Sequence, residues 1–213
     1  MKIKVCGLKY PVNIKAVTDL EPDYVGFIYY GRSPRFVGDI VVGDLASLPL
    51  KIIKTAVFVD EDQQEINRLI DEFRFDAIQL HGKESADFAG SFKGRVQVLK
   101  AFGLDEDFDF DQLNAYVGKV DYFLFDTKTD AHGGSGKTFN WDILDNYKLD
   151  VPFFLSGGLS LDNLEQVAKI IHPKFYGVDL NSRFEKEPGL KDIEKLKQAF
   201  SLLKQHTTHE IRS

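Results

Sequence analysis

Two side chains in this sequence are suited to moving protons, and each lies at the end of a short apolar run. Cys6 is the only cysteine and ends the run at residues 3–6, directly before Gly7, whereas Asp126 follows the run at residues 122–125. A thiolate can remove a proton and a carboxylic acid can donate one, so the pair suits an isomerisation that needs no cofactor. A lone cysteine is more often a packing residue, and an aspartate here equally suits a helix cap or a salt bridge. The fold decides whether the two residues meet.

Two further side chains after apolar runs suit the binding of a substrate. Arg35 follows Ser33 and Pro34, where the proline stiffens the turn and a guanidinium can bind a carboxylate through two hydrogen bonds, although a solvent-facing arginine is the alternative. His81 can donate a hydrogen bond to a substrate or carry a proton, but a lone histidine beside glycine is more often structural. Nothing near His81 in the sequence has the spacing of metal ligands, so we expect no metal.

The loops after the last two apolar runs suit a phosphate group. Gly157 and Gly158 allow the backbone to approach an anion closely, and Ser160 is the predicted cap of the next helix. Such glycines equally make a tight turn, but Ser182 and Arg183 in the last loop favour phosphate.

Residues 131–138 end in Gly-Lys-Thr, the closing triplet of a nucleotide-binding P-loop. Ala131 replaces the first glycine of that motif, and the residues after Thr138 are not typical of the start of a long helix. ATP binding is therefore not expected, and a flap over the end of the sixth run fits the segment better.

Eight short apolar runs, separated by polar segments with helical periodicity, must position these residues. The runs are residues 3–6, 24–30, 55–59, 77–80, 96–102, 122–125, 152–155 and 175–180. Several are apolar at successive positions, which is typical of parallel strands covered on both faces. The pattern predicts a single-domain α/β fold, a (β/α)8 TIM barrel over residues 1–203 with a polar C-terminal tail at 204–213. The main alternative is a doubly wound open sheet, but no Gly-x-Gly-x-x-Gly follows the first run.

The composition of the chain argues against several kinds of partner. Its formal net charge of −6 disfavours nucleic acid and anionic membranes. One cysteine cannot form an internal disulfide, the amino terminus lacks the apolar segment of a signal peptide, and no stretch is long enough to span a membrane. We therefore expect a cytoplasmic protein that binds neither nucleic acid nor membrane.

Taken in order, the motifs resemble those of the phosphoribosylanthranilate isomerase family between Lys4 and about Phe200. They are Lys4-Val5-Cys6-Gly7, Gly26-Phe27, Ser33-Pro34-Arg35, Gln79-Leu80-His81-Gly82, Leu124-Phe125-Asp126, Gly133-Gly134-Ser135-Gly136, Phe139-Asn140-Trp141, Ser156-Gly157-Gly158-Leu159 with Asn163, Gly177-Val178-Asp179 and Gly189-Leu190-Lys191-Asp192. Any one motif is weak, but their order and spacing together are highly specific.

The resemblance implies an Amadori rearrangement in tryptophan biosynthesis, which needs neither a metal nor a cofactor. It implies that Asp126 is the general acid that opens the furanose ring and that Cys6 is the general base that removes the C2′ proton. The ionisation of Cys6 is left open between the substrate's cationic imine and nearby Lys9.

The resemblance also assigns the residues that bind the phosphosugar substrate. Arg35 would hold the anthranilate carboxylate and Asp179 a sugar hydroxyl, while Gly157, Gly158 and Ser182 would hold the phosphate. The chain departs from the family pattern Ser-Ser-Gly-Val-Glu at residues 181–185, where Arg183 replaces the glycine. Arg183 either adds a phosphate contact or points outward.

Two other functions remain as alternatives. The first is another phosphosugar barrel enzyme, such as an indole-glycerol-phosphate synthase or a ribulose-phosphate epimerase, and the second is a non-catalytic phosphate-binding or regulatory barrel. The first would need catalytic lysines or a metal set at the strand ends, and the joint presence of Cys6 and Asp126 disfavours the second. Either a monomer or a homodimer is expected.

Overall fold

The eight predicted apolar runs form a closed barrel of eight parallel strands in the computed structural model of the protein. The structure describes residues 1–38, 45–127 and 140–209, with side chains as far as residue 204. The strands are β1 (Lys2–Val5), β2 (Tyr24–Ile28), β3 (Ile53–Phe58), β4 (Ala77–Leu80), β5 (Gln97–Leu104), β6 (Tyr122–Thr127), β7 (Phe153–Leu155) and β8 (Phe175–Leu180). Each strand pairs with the next, and β8 closes the barrel by pairing with β1. The predicted (β/α)8 TIM barrel is confirmed.

Helices and short 3-10 turns cover the outside of the barrel. The α-helices are α1 (Pro11–Thr18), α2 (Gln63–Phe73), α3 (Ala86–Gly90), α4 (Leu164–Val167) and α5 (Ile193–His209), and the 3-10 helices are Phe110–Tyr116, Trp141–Asn146 and Ser182–Phe184. A two-stranded hairpin, β9 (Glu185–Glu187) and β10 (Leu190–Lys191), follows the last of these turns. Helix α5 continues past residue 203 into the segment predicted as a tail, and residues 210–213 lie outside the described residues.

Helix α2 shows how the sequence sets these elements. The side chain of Asp62 caps its first turn by accepting hydrogen bonds from the backbone N–H groups of residues 64 and 65. Ile66, Leu69, Ile70 and Phe73 are buried on one face, as their spacing predicts. Arg74 adopts a left-handed conformation with φ 52°, which ends the helix.

Alternation along the strands separates the two sides of the barrel wall. Ile3 and Val5 on β1 pack in the large core between strands and helices, whereas Cys6, the first residue beyond β1, lines the cavity at the barrel mouth. Asp126 lies within β6 and not after it, because the strand continues to residue 127. Among the helices of the described ranges, none has the length and apolar composition of a membrane span.

Candidate active site

A cavity of about 360 Å³ opens at the C-terminal ends of the strands. It is lined by eight of the nine predicted site residues, namely Cys6, Arg35, His81, Asp126, Gly157, Gly158, Asp179 and Ser182. Arg183 is exposed on the 3-10 turn after β8 and does not line the cavity. A volume of this size suits a small-molecule ligand.

The side chain of Cys6 fits at the cavity wall because the neighbouring strand has a glycine beside it. Its side chain is 3% exposed, and a Cβ atom added at Gly26 of β2 would lie only 2.6 Å from the Cys6 Sγ. Burial raises the pKa of the Cys6 thiol, and the charge of Asp179 adds to this, whereas the ammonium groups of Lys4 and Lys191 lower it. Lys4 and Lys191 are therefore the lysines that favour the thiolate, and Lys9, one of the two sources of ionisation that the sequence left open, is not among them.

Lys4 lies two residues before Cys6 and is completely buried. Its Nζ donates to the carboxylate of Asp179 at 3.0 Å and to the side-chain oxygen of Gln79 at 2.8 Å. The register of β1 and β8 sets the first contact, because residues 4 and 179 are direct partners across the two strands. Sequence reasoning missed this lysine as a site residue, although its place two residues before Cys6 gives it the same inward direction.

His81 and Asp126 lie on neighbouring parts of the same cavity. The His81 Nε2 is 3.5 Å from Oδ2 of Asp126, and the other ring nitrogen, Nδ1, lies 2.8 Å from the Gln79 amide nitrogen. The backbone N–H of Thr127 donates to Oδ1 of Asp126 at 2.7 Å. Both carboxyl oxygens of Asp126 therefore face hydrogen-bonding groups.

Arg35 reaches the cavity with its guanidinium already held by a buried carboxylate. Its Nε and Nη2 donate to Glu185, the shorter contact being 2.7 Å, and the side chain is only 14% exposed. Lys191 donates to the same carboxylate at 2.7 Å, and burial lowers the pKa of Lys191 to about 8. Arg35 is therefore not a solvent-facing residue. Glu185 was missed as its partner, because the two residues lie 150 positions apart.

The glycines after β7 adopt left-handed conformations, with φ of 80° at Gly157 and 65° at Gly158. A Cβ at Gly157 would lie 2.5 Å from both Oδ1 of Asp126 and the backbone nitrogen of Thr127, so glycine is also required there by the packing of β6. The prediction that Ser160 caps the next helix is wrong, since α4 begins at residue 164. The binding of phosphate at these glycines stays a prediction.

Residues 128–139 lie outside the described residues, and they include the predicted flap and the P-loop-like segment. Within the ranges that the structure does describe, no group of three or more His, Cys, Asp or Glu side chains is arranged to hold a metal ion.

A family model and named relatives of similar sequence agree on one family for this chain. The profile of the family described as N-(5'phosphoribosyl)anthranilate (PRA) isomerase matches residues 3–201. The chain is 44% identical over 200 residues to the N-(5'-phosphoribosyl)anthranilate isomerase of Parabacteroides distasonis, covering 92% of this chain and 90% of that one. It is 39% identical over 206 residues to the enzyme of that name from Phocaeicola vulgatus, covering 96% and 98% of the two chains.

Solved structures of similar proteins have the same fold. The crystal structure of phosphoribosyl anthranilate isomerase from Thermotoga maritima has a TM-score of 0.83 and 30% identity, covering 96% of this chain and 99% of that one. A structure of monomers made from the dimeric enzyme of the same organism gives 0.81 and 28%, with the same coverage. A phosphoribosyl anthranilate isomerase in complex with reduced 1-(o-carboxyphenylamino)-1-deoxyribulose 5-phosphate gives 0.81 and 26%, again covering 96% and 99%.

Proposed function

The chain belongs to the N-(5'-phosphoribosyl)anthranilate isomerase family, and on that premise we propose that it carries out the family's Amadori rearrangement with Asp126 as general acid and Cys6 as general base. The enzyme is an isomerase of tryptophan biosynthesis. Its substrate is N-(5-phospho-β-D-ribosyl)anthranilate, and its product is 1-(2-carboxyphenylamino)-1-deoxy-D-ribulose 5-phosphate. The single observation that supports the proposed roles is that Cys6 and Asp126 line one cavity at the barrel mouth.

The acid step opens the sugar ring. Asp126 gives its proton to the furanose ring oxygen, the bond from that oxygen to C1′ breaks, and the nitrogen lone pair forms a cationic imine with C1′. The carboxylate left on Asp126 accepts a hydrogen bond from the backbone N–H of Thr127, whose 2.7 Å distance is typical of a charged acceptor.

The base step moves the double bond. Cys6 removes the proton on C2′, and the electron pair of that C–H bond forms the C1′–C2′ double bond of an enolamine as the imine nitrogen is neutralised. The enolamine then loses its hydroxyl proton and gains a proton at C1′, giving the ketone. Lys4 and Lys191 favour the thiolate against the burial that opposes it, and the imine cation adds to their effect.

The remaining cavity residues bind the ends of the substrate. Arg35 binds the anthranilate carboxylate, and the contacts of two of its nitrogens with Glu185, which fix the plane of the guanidinium, support this role. Asp179 accepts a hydrogen bond from a sugar hydroxyl. The backbone at Gly157 and Gly158 binds the phosphate.

Substrate contacts are proposed for three further residues of the barrel mouth. Ser182 donates to the phosphate from the wall of the cavity. Arg183 is exposed, so its phosphate contact would require the side chain to turn inward. His81 contacts the substrate on the acid side of the cavity, next to Asp126.

The proposed chemistry uses side chains alone, so it calls for no cofactor and no metal. As its partner we propose the phosphosugar substrate. We propose that the enzyme is either a monomer or a homodimer and that its location is cytoplasmic.

Turnover of phosphoribosylanthranilate by the purified protein tests this function. We expect the fluorescence of the substrate to decay on addition of the enzyme without added metal or cofactor. The absence of any turnover would refute the proposal and favour either another phosphosugar enzyme or a binding protein. Binding of the product analogue without turnover would indicate the binding protein.

A further inference from the structure

A row of hydrogen-bonding side chains runs along the cavity wall from Lys4, beside Cys6, to Asp126, and the proposed mechanism does not use the contacts between them. It begins at Lys4 Nζ, which donates to the Gln79 side-chain oxygen at 2.8 Å. It continues over 2.8 Å from the Gln79 amide nitrogen to His81 Nδ1, and His81 Nε2 then faces Asp126 Oδ2 at 3.5 Å. Lys4 is 0% exposed and Gln79 is 1% exposed, so water does not compete for the contact between them, whereas the side chains of His81 and Asp126 are 22% and 15% exposed at the cavity.

The direction of the hydrogen bonds in this row follows from the lysine. An ammonium group only donates, so the group of Gln79 that faces Lys4 must be its oxygen. The amide –NH2 then faces His81 and also only donates, which requires Nδ1 of the ring to be the acceptor. A neutral imidazole with an accepting Nδ1 carries its proton on Nε2. That nitrogen is the one that lies 3.5 Å from Oδ2 of Asp126.

The lysine is held as an ammonium ion by its surroundings. Burial alone lowers the pKa of Lys4, but the negative charge of Asp179 and that of an ionised Cys6 more than offset this, and the pKa is raised overall. The Lys4–Asp179 contact of 3.0 Å has both side chains buried, so the pair is poorly screened by solvent. The hydrogen bond from Lys4 to Gln79 therefore has a fixed direction, with Lys4 as the donor.

We propose that Lys4 and Gln79 are positioning residues that hold His81 in the Nε2–H form, so that His81 donates a hydrogen bond to Asp126 as its carboxylate forms. The consequence for catalysis rests on the proposed role of Asp126 as the acid. When Asp126 gives up its proton, negative charge develops on its oxygens, and a preoriented donor stabilises that charge without rearranging first. The backbone N–H of Thr127 donates to Oδ1, and His81 Nε2, which is 3.5 Å from Oδ2, donates to that oxygen as the charge develops.

Nitrogen NMR of the imidazole rings tests the orientation directly, because protonated and unprotonated ring nitrogens have distinct shifts and couplings. The chain contains five histidines, so the His81 signals are assigned by their loss in His81→Asn. We expect Nδ1 of His81 to be unprotonated and Nε2 to be protonated in the wild-type protein near neutral pH. A protonated Nδ1 would overturn the proposal.

The variant Gln79→Glu replaces the amide donor that faces His81 by an acceptor while preserving the shape of the side chain. Its carboxylate accepts from both neighbours, so we expect Nδ1 of His81 to become protonated. If the imidazole of His81 is neutral, its unprotonated Nε2 then faces Asp126 and cannot donate to it. If the imidazole is doubly protonated, its positive charge favours an Asp126 that has lost its proton before the sugar ring opens. Both forms impair the acid, and we expect kcat to fall about ten- to hundredfold with a smaller change in KM, the range typical of outer-shell partners.

The control Gln64→Glu makes the same chemical change on the exposed face of α2, and it should leave the NMR signals of His81 and kcat unchanged. A folded Gln79→Glu protein with an unprotonated Nδ1, or with wild-type kcat, would refute the proposal. If Gln79→Glu does not fold, the wild-type spectrum alone still decides the orientation. A wild-type protein with the expected spectrum but no turnover of phosphoribosylanthranilate would instead refute the proposed function.

Discussion

Replacing Gly26 by alanine should slow the enzyme strongly without altering any residue that reacts. The added Cβ would lie 2.6 Å from the Cys6 Sγ and 3.1 Å from its Cα, whereas ordinary van der Waals contacts begin at 3.4 Å. Gly26 lies within a regular strand, so alanine is compatible with its backbone and the contact with Cys6 is the main cost. Relief of that contact moves the sulfur by about 0.8 Å or more, which is close to the displacement of about 1 Å that costs about a hundredfold in rate.

We therefore expect Gly26→Ala to lower kcat by about a hundredfold and the free energy of unfolding by about 1–3 kcal/mol, the usual range for an overpacked core. The rate is measured by the decay of substrate fluorescence, and the fold by circular dichroism and denaturant unfolding. Gly31→Ala is the matched control, because a Cβ at Gly31 meets no atom within 4 Å. A folded Gly26→Ala protein with wild-type kcat would show that the position of the Cys6 sulfur does not limit the reaction.

Three further changes test the electrostatics of the site. Lys4→Met should raise the pKa of the Cys6 thiol, because Lys4 lowers it; a titration of thiolate absorbance that is unchanged would remove Lys4 from this role. Arg35→Ala should mainly raise KM by removing the donor proposed for the anthranilate carboxylate, and unaltered substrate affinity would contradict that role. Lys191 keeps its proton in the unfolded chain up to a pKa near 10.5 but only to about 8 in the folded one, so the unfolded state binds more protons between these values and the contribution of Lys191 to stability should rise with pH there. Over about 2.5 pKa units, at about 1.4 kcal/mol each, this contribution should grow by about 3.5 kcal/mol, and denaturant unfolding of Lys191→Met should lack it; parallel pH curves for the two proteins would argue against a lowered pKa of Lys191.

The strands and most of the site could be predicted because both depend on local sequence. The successive apolar residues of a buried parallel strand are visible in any short window, and in a barrel the residues just after each strand must converge. Cys6 and Asp126 were placed at the cavity on this basis, with errors of one or two residues at the strand ends. Those ends depend on pairing with the neighbouring strand, as at β6, which continues through residue 127 against β5.

The partners of the site residues could not be predicted in the same way. Lys4 and Gln79 are 75 positions apart, and Arg35 and Glu185 are 150 positions apart, so nothing in a local pattern joins them. Only the closure of the barrel by β8 brings Lys4 opposite Asp179. The sequence could have indicated Lys4 alone, because a lysine two residues before Cys6 on a strand faces the same side.

The kcat values of Cys6→Ser and Asp126→Asn test the proposed acid–base mechanism most directly. Each variant keeps the shape of its side chain while removing the group that is proposed to transfer a proton. With the fold verified by circular dichroism, we expect each to lower kcat for phosphoribosylanthranilate by at least about a hundredfold, the usual scale of general acid–base catalysis. A near-wild-type kcat in either folded variant would contradict the role proposed for that residue.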